Sequence, residues 1–376
     1  MTTINADFFI PYKFSVIFID NILKPNDQLL AFFNGLPEQA LILPIIEHEL
    51  LQHYPQLSAS LQQLLTTNNL SPVPSLVLTG GELGKNSPEL IPEIIDKCIA
   101  HQIDRHSYLV AIGGGAFIDM VGYAATIIHR GIRLIRMPTT VLGQNDAGVG
   151  VKNAMNYQGR KNFLGTFSPP YAVINSYHFI DSLPCQEKRA GIAEAIKVAL
   201  IKDGDFFNYL FIHRHQLRQF KSSVMKKMIV ECAQLHLNHI CTTGDPFELG
   251  SARPLDFGHW SAHALEELSG FSLRHGEAVA IGILIDAKYS FYQGWISVRE
   301  LAMIEQLILE LGFPICCRAL TQLNITYALD NFRAHLGGQL CITMLSGLGT
   351  CHEVNNIDSS LMQVCINELI ALTSEG

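Results

Sequence analysis

The chain has 376 residues, of which 48% are hydrophobic and 16% charged, with a formal net charge of -8. Such a chain is not disordered, and it is longer than one hydrophobic core usually serves, so we expect two domains. Its acidic balance, with no block of like charges, argues against nucleic acid or an anionic membrane surface as the main partner. Nine scattered cysteines without a CxxC pair, no signal-like N-terminus and no long apolar run predict a reduced cytoplasmic protein that does not span a membrane.

Short apolar runs alternate with helix-like segments in the first half of the chain. The runs are ALILPII (40–46), SLVLTGG (75–81), SYLVAIGGG (107–115) and IRLIRMP (132–138), and SPELIPEIIDKCIAHQI (87–103) is a typical intervening helix. Strands alternating with helices predict a parallel sheet covered on both faces. From about Gln186 the periodicity is mostly helical. We therefore expect an α/β domain over residues 1–175 and a helical domain over residues 176–376.

The run VAIGGGAFID joins a predicted strand to a predicted helix through three glycines. Glycines at such a junction let a phosphate approach the backbone, and the helix N-terminus favours its negative charge. The spacing is not GxGxxG, so the dinucleotide fingerprint is absent. A phosphate-binding turn and an ordinary tight turn both remain open here.

Residues 137–170 form the densest polar stretch of the first half. Asp146, Lys152, Asn156, Lys161 and Asn162 are spaced there among glycines and small apolar residues. This pattern is compatible with the lining of an anion-binding cavity or with a long surface hairpin.

Glu194 and Lys197 stand three residues apart within AGIAEAIKVALI, a predicted helix without a polar stripe. Such a helix is buried, so its carboxylate must be paired or must bind a metal. His259 and His263 are four residues apart in a predicted helix, and His275 precedes another apolar one. Glu194, His259 and His275 would supply the three protein ligands of an open metal site.

These motifs together resemble one family. GGGAFID, MPTTVLGQNDAGVGVKN, GRKNFLGTF, AGIAEAIK, DFGHWSAH and HGEAVAIG follow the order and spacing of dehydroquinate synthase and the other sugar phosphate cyclases. The similarity covers about residues 75–285. It implies a Rossmann-like NAD-binding domain, a helical metal-binding domain, an active site between them and a homodimer.

The resemblance also implies roles for individual residues. Glu194, His259 and His275 match the ligands of a divalent metal, zinc or cobalt. The positions matching the NAD site are Glu82, Lys85, Gly114, Gly115, Asp119, Thr139, Thr140 and Lys161. The positions matching catalytic, substrate or phosphate residues are Asp146, Lys152, Asn162, Lys197, Asp256 and His263, and Arg130 matches an arginine that reaches the phosphate of the neighbouring subunit.

The family chemistry implies a small-molecule sugar phosphate as the partner. Hydride passes to NAD and later returns, phosphate is eliminated between these steps, and an intramolecular aldol reaction closes a carbocycle. The net reaction is therefore that of a phosphate lyase.

The chain departs from dehydroquinate synthase where a lysine and an arginine would bind the substrate carboxylate. Counting back from His259 places Asn238 and Ala252 at those positions, and Asp256 replaces an asparagine. A site with these residues suits the hydroxyls of a neutral sugar, such as sedoheptulose 7-phosphate, which related cyclases convert to valiolone-type cyclitols. The retained His263 favours the 2-epi-valiolone synthases over the 2-epi-5-epi-valiolone synthases. Arg253, Arg333 and His335 are candidates for replacing missing cations.

Two further positions and three alternatives stay open. Pro44 stands where relatives often carry an aspartate for the NAD ribose, and Glu47 is a candidate replacement. The alternatives to the sedoheptulose 7-phosphate cyclase are 3-dehydroquinate synthase, a metal-dependent alcohol dehydrogenase of the same fold, and a non-catalytic scaffold.

Overall fold

The computed structural model describes residues 3–5, 10–24, 26–249 and 254–372. The chain divides into two compact units, the first formed by Met1–Thr139 with Val151–His178 and the second by Thr140–Gly150 with Phe179–Gly376. Each unit has its own hydrophobic core.

The first unit is built on a parallel sheet in the strand order β1-β9-β6-β5-β2-β3, with β4 also paired to β2. Strands β7 and β8 form a separate antiparallel hairpin. The elements are β1 (Ser15–Ile19), α1 (Asp27–Asn34), β2 (Leu41–Glu47), α2 (His48–His53), α3 (Leu57–Thr67), β3 (Ser71–Pro72), β4 (Leu76–Leu78), α4 (Gly81–Lys85), α5 (Leu90–Ala100), β5 (Tyr108–Gly113), α6 (Gly115–Ile127), β6 (Arg133–Pro138), β7 (Lys152–Tyr157), β8 (Arg160–Phe167) and β9 (Ala172–Ser176).

The predicted α/β class is confirmed, because all four apolar runs form strands of this sheet. Every residue of β5 is buried, as expected for a central parallel strand with helices on both faces. The strands β1 and β9 were not predicted. They pair with each other in parallel, from Ser15 opposite Ala172 to Ile19 opposite Ser176, and extend the sheet beyond β6.

The second unit is mostly helical. Its elements are α8 (Cys185–Lys202), α9 (Gly204–Ile212), α10 (Arg214–Arg218), α11 (Ser222–Thr242), α12 (His259–Leu268), α13 (His275–Tyr292), α14 (Val298–Leu311), α15 (Ile325–His335), β10 (Ile342–Gly347), β11 (Thr350–Val354) and α16 (Ser359–Ala371), after the short α7 (His178–Asp181) at the boundary. Helices α8 and α13 are buried nearly all round. Such helices form the centre of a core, and the amphipathic helices pack around them.

The segment Thr140–Gly150 differs from the expected boundary near residue 175, because it belongs to the second unit. Its π-helical turn, Gly143–Ala147, packs against α8 and α11. A Cβ added to Gly191 of α8 would lie 2.6 Å from the backbone nitrogen of Leu142, and Asn145 Nδ2 donates to the Gly191 carbonyl at 2.8 Å. Only glycine permits this close backbone approach.

Within the described ranges, every helix is either too short or too polar to cross a lipid bilayer.

Candidate functional site

Helix α8 places two charged side chains in the core of the second unit. From Ala190 to Ile201 its residues are buried without interruption, and Glu194 and Lys197 are included. The Lys197 ammonium contacts Glu194 Oε2 one turn away. An ammonium and a carboxylate at this spacing neutralise each other in a place where neither would be tolerated alone.

Two histidines approach the other oxygen of the same carboxylate. His259 is the first residue of α12 and His275 the first of α13. Their Nε2 atoms lie 3.7 Å and 3.4 Å from Glu194 Oε1. The structure thus brings together the three residues predicted as metal ligands, with ligand atoms within 4.8 Å of one another.

The hydrogen bonds behind the imidazoles determine which nitrogen carries the proton. Nδ1 of His259 lies 3.0 Å from the Phe257 carbonyl oxygen, and Nδ1 of His275 lies 3.1 Å from Glu266 Oε2. Both partners accept, so each Nδ1 donates and each neutral ring presents the Nε2 lone pair to Glu194.

Three acceptor atoms therefore converge on one point, which is the donor set of a cation site. Two ligands bound at about 2.0–2.2 Å to a tetrahedral zinc ion lie roughly 3.4 Å apart. The measured separations of 3.4 Å and 3.7 Å agree with that spacing. One glutamate and two histidines with Nε2 toward the ion fit a divalent metal of the zinc type.

Electrostatics favour the protonation states that ligation requires. Burial opposes ionisation of Glu194, but the Lys197 ammonium beside it holds the pKa of this carboxyl well below the ordinary value. Burial, reinforced by Lys197, lowers the pKa of His259. The carboxylate is thus ionised and the imidazole neutral, and these are the forms that bind metals.

Further charged residues surround this cluster. Asp146, on the π-helical turn, lies 2.9 Å from Nδ1 of the buried His236 on α11. Burial opposes its ionisation, but Lys197 and His236 keep the pKa of Asp146 below its ordinary value. The partly buried Asp256 adds a third negative charge near Lys197. The ring of His263 lies 5.4 Å from that of His259 and 6.3 Å from that of His275, beside the ligand set.

The structure places Asn238, the position matched to the carboxylate-binding lysine, on the exposed side of α11, where it accepts a hydrogen bond from Gln234 Nε2 at 2.8 Å. His236, two residues earlier, is the side chain of that helix that faces Asp146. Ala252 and Arg253 lie outside the described residues, as does the side chain of His335. Arg333 is exposed and pairs with Asp330 at 2.8 Å.

In the first unit, the carboxyl ends of β2, β4 and β5 meet around Glu47. Its Oε2 accepts from the backbone nitrogen of Gly114 at 2.6 Å and its Oε1 from that of Gly81 at 3.0 Å. Pro44 is instead buried in the middle of β2, opposite Val110. The acidic residue at the end of β2 is therefore Glu47, which holds the glycine-rich turn and the start of α4 together.

The residues predicted for the cofactor lie around these turns. Lys85 is buried and bonds Asp119 Oδ2 at 2.6 Å, and Glu82 accepts from Asn156 Nδ2 at 2.8 Å. Gly114 caps α6, and no side chain caps its first turn. Uncapped amides at the start of a helix suit the pyrophosphate of a dinucleotide, so the residues present fit NAD.

The remaining predicted residues lie on the β7–β8 hairpin and at the ends of other elements. Lys152 begins β7 and is exposed, Lys161 is partly exposed on β8, and Asn162 on the same strand has a positive φ of 52°. The polar run thus forms an antiparallel hairpin, one of the two arrangements that its sequence allows. Two threonines predicted for the NAD site follow β6: Thr139 is buried, and Thr140 accepts from the Gly143 amide at 3.0 Å. Arg130, predicted to reach a neighbouring subunit, is exposed and has a φ of 62°.

Three residues of the site escaped prediction from the sequence. His236, Glu266 and Asp286 are all buried polar residues of the second unit. Asp286 sits in the apolar run of α13, which is the signal by which it was detectable, whereas His236 and Glu266 lie in mixed segments without that signal. Their partners are remote in sequence or depend on helix register, and for that reason no motif identified them.

Comparisons with known proteins agree with this architecture. The N-terminal model of the 3-dehydroquinate synthase family matches residues 75–190, and the C-terminal model matches residues 191–333. A curated 3-dehydroquinate synthase from Acinetobacter baylyi is 31% identical over 352 residues, which are 93% of this chain and 94% of that protein.

Two solved structures share the fold over nearly their whole length. A 2-epi-5-epi-valiolone synthase from Streptomyces hygroscopicus subsp. jinggangensis, with NAD+ and Zn2+ bound, has a TM-score of 0.87 at 24% identity and covers 98% of this chain and 99% of its own. A 2-deoxy-scyllo-inosose synthase complexed with carbaglucose-6-phosphate, NAD+ and Co2+ has a TM-score of 0.77 at 22% identity and covers 94% and 96%.

A parallel sheet with a glycine-rich turn, followed by a helical unit with a glutamate and two histidines, defines the dehydroquinate synthase-like class of enzymes. The chain belongs to the 3-dehydroquinate synthase family, within the sugar phosphate cyclases.

Proposed function

We propose that the protein is an NAD- and metal-dependent sugar phosphate cyclase that converts sedoheptulose 7-phosphate into a valiolone-type cyclitol with loss of phosphate. The observation that carries this proposal is Asp256, a carboxylate near Lys197 at a position where dehydroquinate synthase carries an asparagine. Among the described residues, Glu194, Asp146 and Asp256 place three carboxylates around the ammonium of Lys197.

A substrate carboxylate is poorly matched to such a cluster. Lys197 already contacts Glu194, and its pKa is raised because the attraction of the carboxylates outweighs the effect of burial. Each charge-assisted hydrogen bond that an acidic substrate lacks costs about 1.5–3 kcal/mol. The hydroxyls of a neutral ketose instead donate to Asp146 and Asp256, and they carry no charge for these aspartates to repel.

We assign the metal to Glu194, His259 and His275. A divalent ion held there, zinc or cobalt, polarises substrate hydroxyls and lowers their pKa. Glu266 and the Phe257 carbonyl hold the two imidazoles in the tautomer that ligates. Lys197 keeps the Glu194 carboxylate ionised. The chain thus supplies preformed ligands and fixes their protons.

We assign NAD to the carboxyl edge of the sheet in the first unit. NAD bound there would supply reversible acceptance of a hydride, which is compatible with a net reaction of phosphate loss and ring closure. Glu47 orients the Gly81 and Gly114 amides, and the uncapped first turn of α6 is suited to receive the pyrophosphate.

The substrate phosphate is assigned to polar residues of the first unit. Lys152 and Asn162 on the β7–β8 hairpin, with the exposed Arg130, provide the charge and the donors that a phosphate requires. Their assignment follows the match of these positions with the family.

The test is phosphate release from two substrates, measured side by side at equal enzyme, NAD and zinc. Sedoheptulose 7-phosphate should be turned over with at least a hundredfold higher kcat/KM than the acidic heptulosonate phosphate used by dehydroquinate synthase, because two lost charge-assisted bonds cost about 3 kcal/mol or more. NMR of the product should show a cyclitol. Faster turnover of the acidic substrate would overturn the proposal.

The second candidate is 3-dehydroquinate synthase itself. It is favoured by the names of the curated relatives, such as the 36% identical protein from Campylobacter fetus that matches over 259 residues. Rescue of a bacterium lacking that enzyme, under growth without aromatic supplements, would support this candidate.

A further inference from the structure

A fully buried carboxylate links the two helices that begin with the histidine ligands. Asp286 lies on α13 and is not exposed to solvent. Its Oδ2 accepts from the backbone nitrogen of Gly258 at 3.0 Å, and its Oδ1 accepts from Trp260 Nε1 at 2.8 Å. Both donors flank His259 in sequence.

Both donors are uncharged, so this carboxylate is costly to bury. Burial raises the pKa of Asp286 to about 7, although the two hydrogen bonds act in the opposite direction. Packing of apolar side chains would join two helices without that cost. Unlike apolar packing, a carboxylate fixes the positions of two hydrogen-bond donors at once, here Gly258 N and Trp260 Nε1.

The two bonds converge on the turn that delivers His259. Gly258 has a left-handed φ of 77°, and a Cβ added to Gly282 of α13 would lie 2.0 Å from the Gly258 carbonyl oxygen. The turn is therefore pressed against the backbone of α13. Asp286 follows His275 by three helical turns and lies on the same face of α13, so one rigid helix carries both a ligand and the anchor of the other ligand.

We infer that Asp286 is a positioning residue for the metal centre, acting on His259 through the Gly258–Trp260 turn. This inference rests on the proposed metal site. It predicts that Asp286 sets metal affinity without touching the metal. In metalloproteins, loss of a residue that orients a ligand typically lowers metal affinity 10–100-fold.

The test is the zinc dissociation constant of Asp286→Asn, measured by competition with a chelator. The amide keeps the size of the side chain but has one acceptor oxygen for two donors, so affinity should fall about tenfold. The matched control is Ser290→Ala. Ser290 is equally buried one turn along α13, where its hydroxyl donates to the Asp286 carbonyl at 2.7 Å and accepts from the Leu345 amide. This control should bind zinc as the wild type does.

A second variant decides the matter if Asp286→Asn does not fold. Trp260→Phe keeps the carboxylate and its bond to Gly258 but removes one restraint, so zinc affinity should fall in the same direction by a smaller factor. Wild-type affinity in both variants, or an equal loss in Ser290→Ala, would overturn the inference. His275→Ala separates this outcome from failure of the metal site, because that variant must lose zinc whatever the role of Asp286.

Discussion

Glu266 Oε2 lies 3.1 Å from Nδ1 of His275, and the Glu266 carboxylate is buried. Because this carboxylate accepts, it holds the proton of His275, a proposed metal ligand, on Nδ1. Glu266 itself lies on α12, seven residues beyond His259, the residue that begins that helix. A carboxylate behind a ligating histidine also increases the basicity of the ring.

Glu266→Gln should lower zinc affinity 10–100-fold, whereas His275→Ala should abolish stoichiometric binding. Gln retains a carbonyl acceptor, so the orientation of His275 is weakened and not removed. Elemental analysis of both variants after dialysis gives the metal content per chain. Stoichiometric metal in His275→Ala would contradict the assignment of Glu194, His259 and His275.

NAD should remain bound and not be consumed. Phosphate release should continue for many cycles per NAD without a rise in absorbance at the NADH band, because the hydride returns to the same substrate. Phosphate and absorbance are followed in the same cuvette. NADH that accumulates in step with product would favour the metal-dependent alcohol dehydrogenase alternative.

Asn238→Lys should shift substrate preference toward the acidic heptulosonate phosphate. The new ammonium would stand at the position that matches the carboxylate-binding lysine of the family, and one charge-assisted hydrogen bond is worth about 1.5–3 kcal/mol, so the ratio of kcat/KM values should change about tenfold or more. Ser223→Lys is the matched control, since it adds the same charge at the exposed start of α11. An equal shift in both variants would show that the effect comes from net charge and not from the position of Asn238.

The raised pKa of Asp286, about 7, predicts a pH-dependent stability. The folded protein holds the proton more tightly than the unfolded chain, so the stabilisation is complete below the ordinary pKa of 3.8 and is lost as pH rises toward 7. Asp286 should by itself contribute a fall of about 1 kcal/mol per pH unit to the free energy of unfolding in this window. Urea denaturation at several pH values measures it. The slope should be smaller in Asp286→Asn, and an unchanged slope would contradict the titration.

Mixing two inactive variants should restore activity if Arg130 acts on a neighbouring subunit. His129 and Arg130 both have left-handed φ values, 52° and 62°, a strain of about 1–2 kcal/mol per residue that is typical of functional positions. In an equal mixture of Arg130→Ala and Lys197→Ala, half of the dimers carry one intact site. Roughly a quarter of the wild-type activity should therefore return, and no recovery would argue against a shared site.

The sequence predicted well what depends on local periodicity. The segment HWSAHALEEL forms α12 over all ten of its residues, and the four apolar runs form strands. The sequence did not predict which side chains of different elements would meet in space. Contacts between separate helices, such as that of His236 with Asp146 and that of Glu266 with His275, are not specified by periodicity. Pro44 and Glu47 differ by their place on one strand, since only the end of β2 reaches the glycine turns.

The assignment of Thr140–Gly150 to the second unit has a consequence for biosynthesis. These eleven residues cannot reach their final packing when they are synthesised. Helix α8, which they cover at Gly191, is synthesised about fifty residues later. Neither unit is a contiguous piece of polypeptide, so the helical unit cannot be obtained by truncation at residue 176 without exposing that surface of α8. Asp146 therefore reaches its place in the helical unit only when the core of that unit is completed. The chain cannot assemble its acidic cluster before most of its length has left the ribosome.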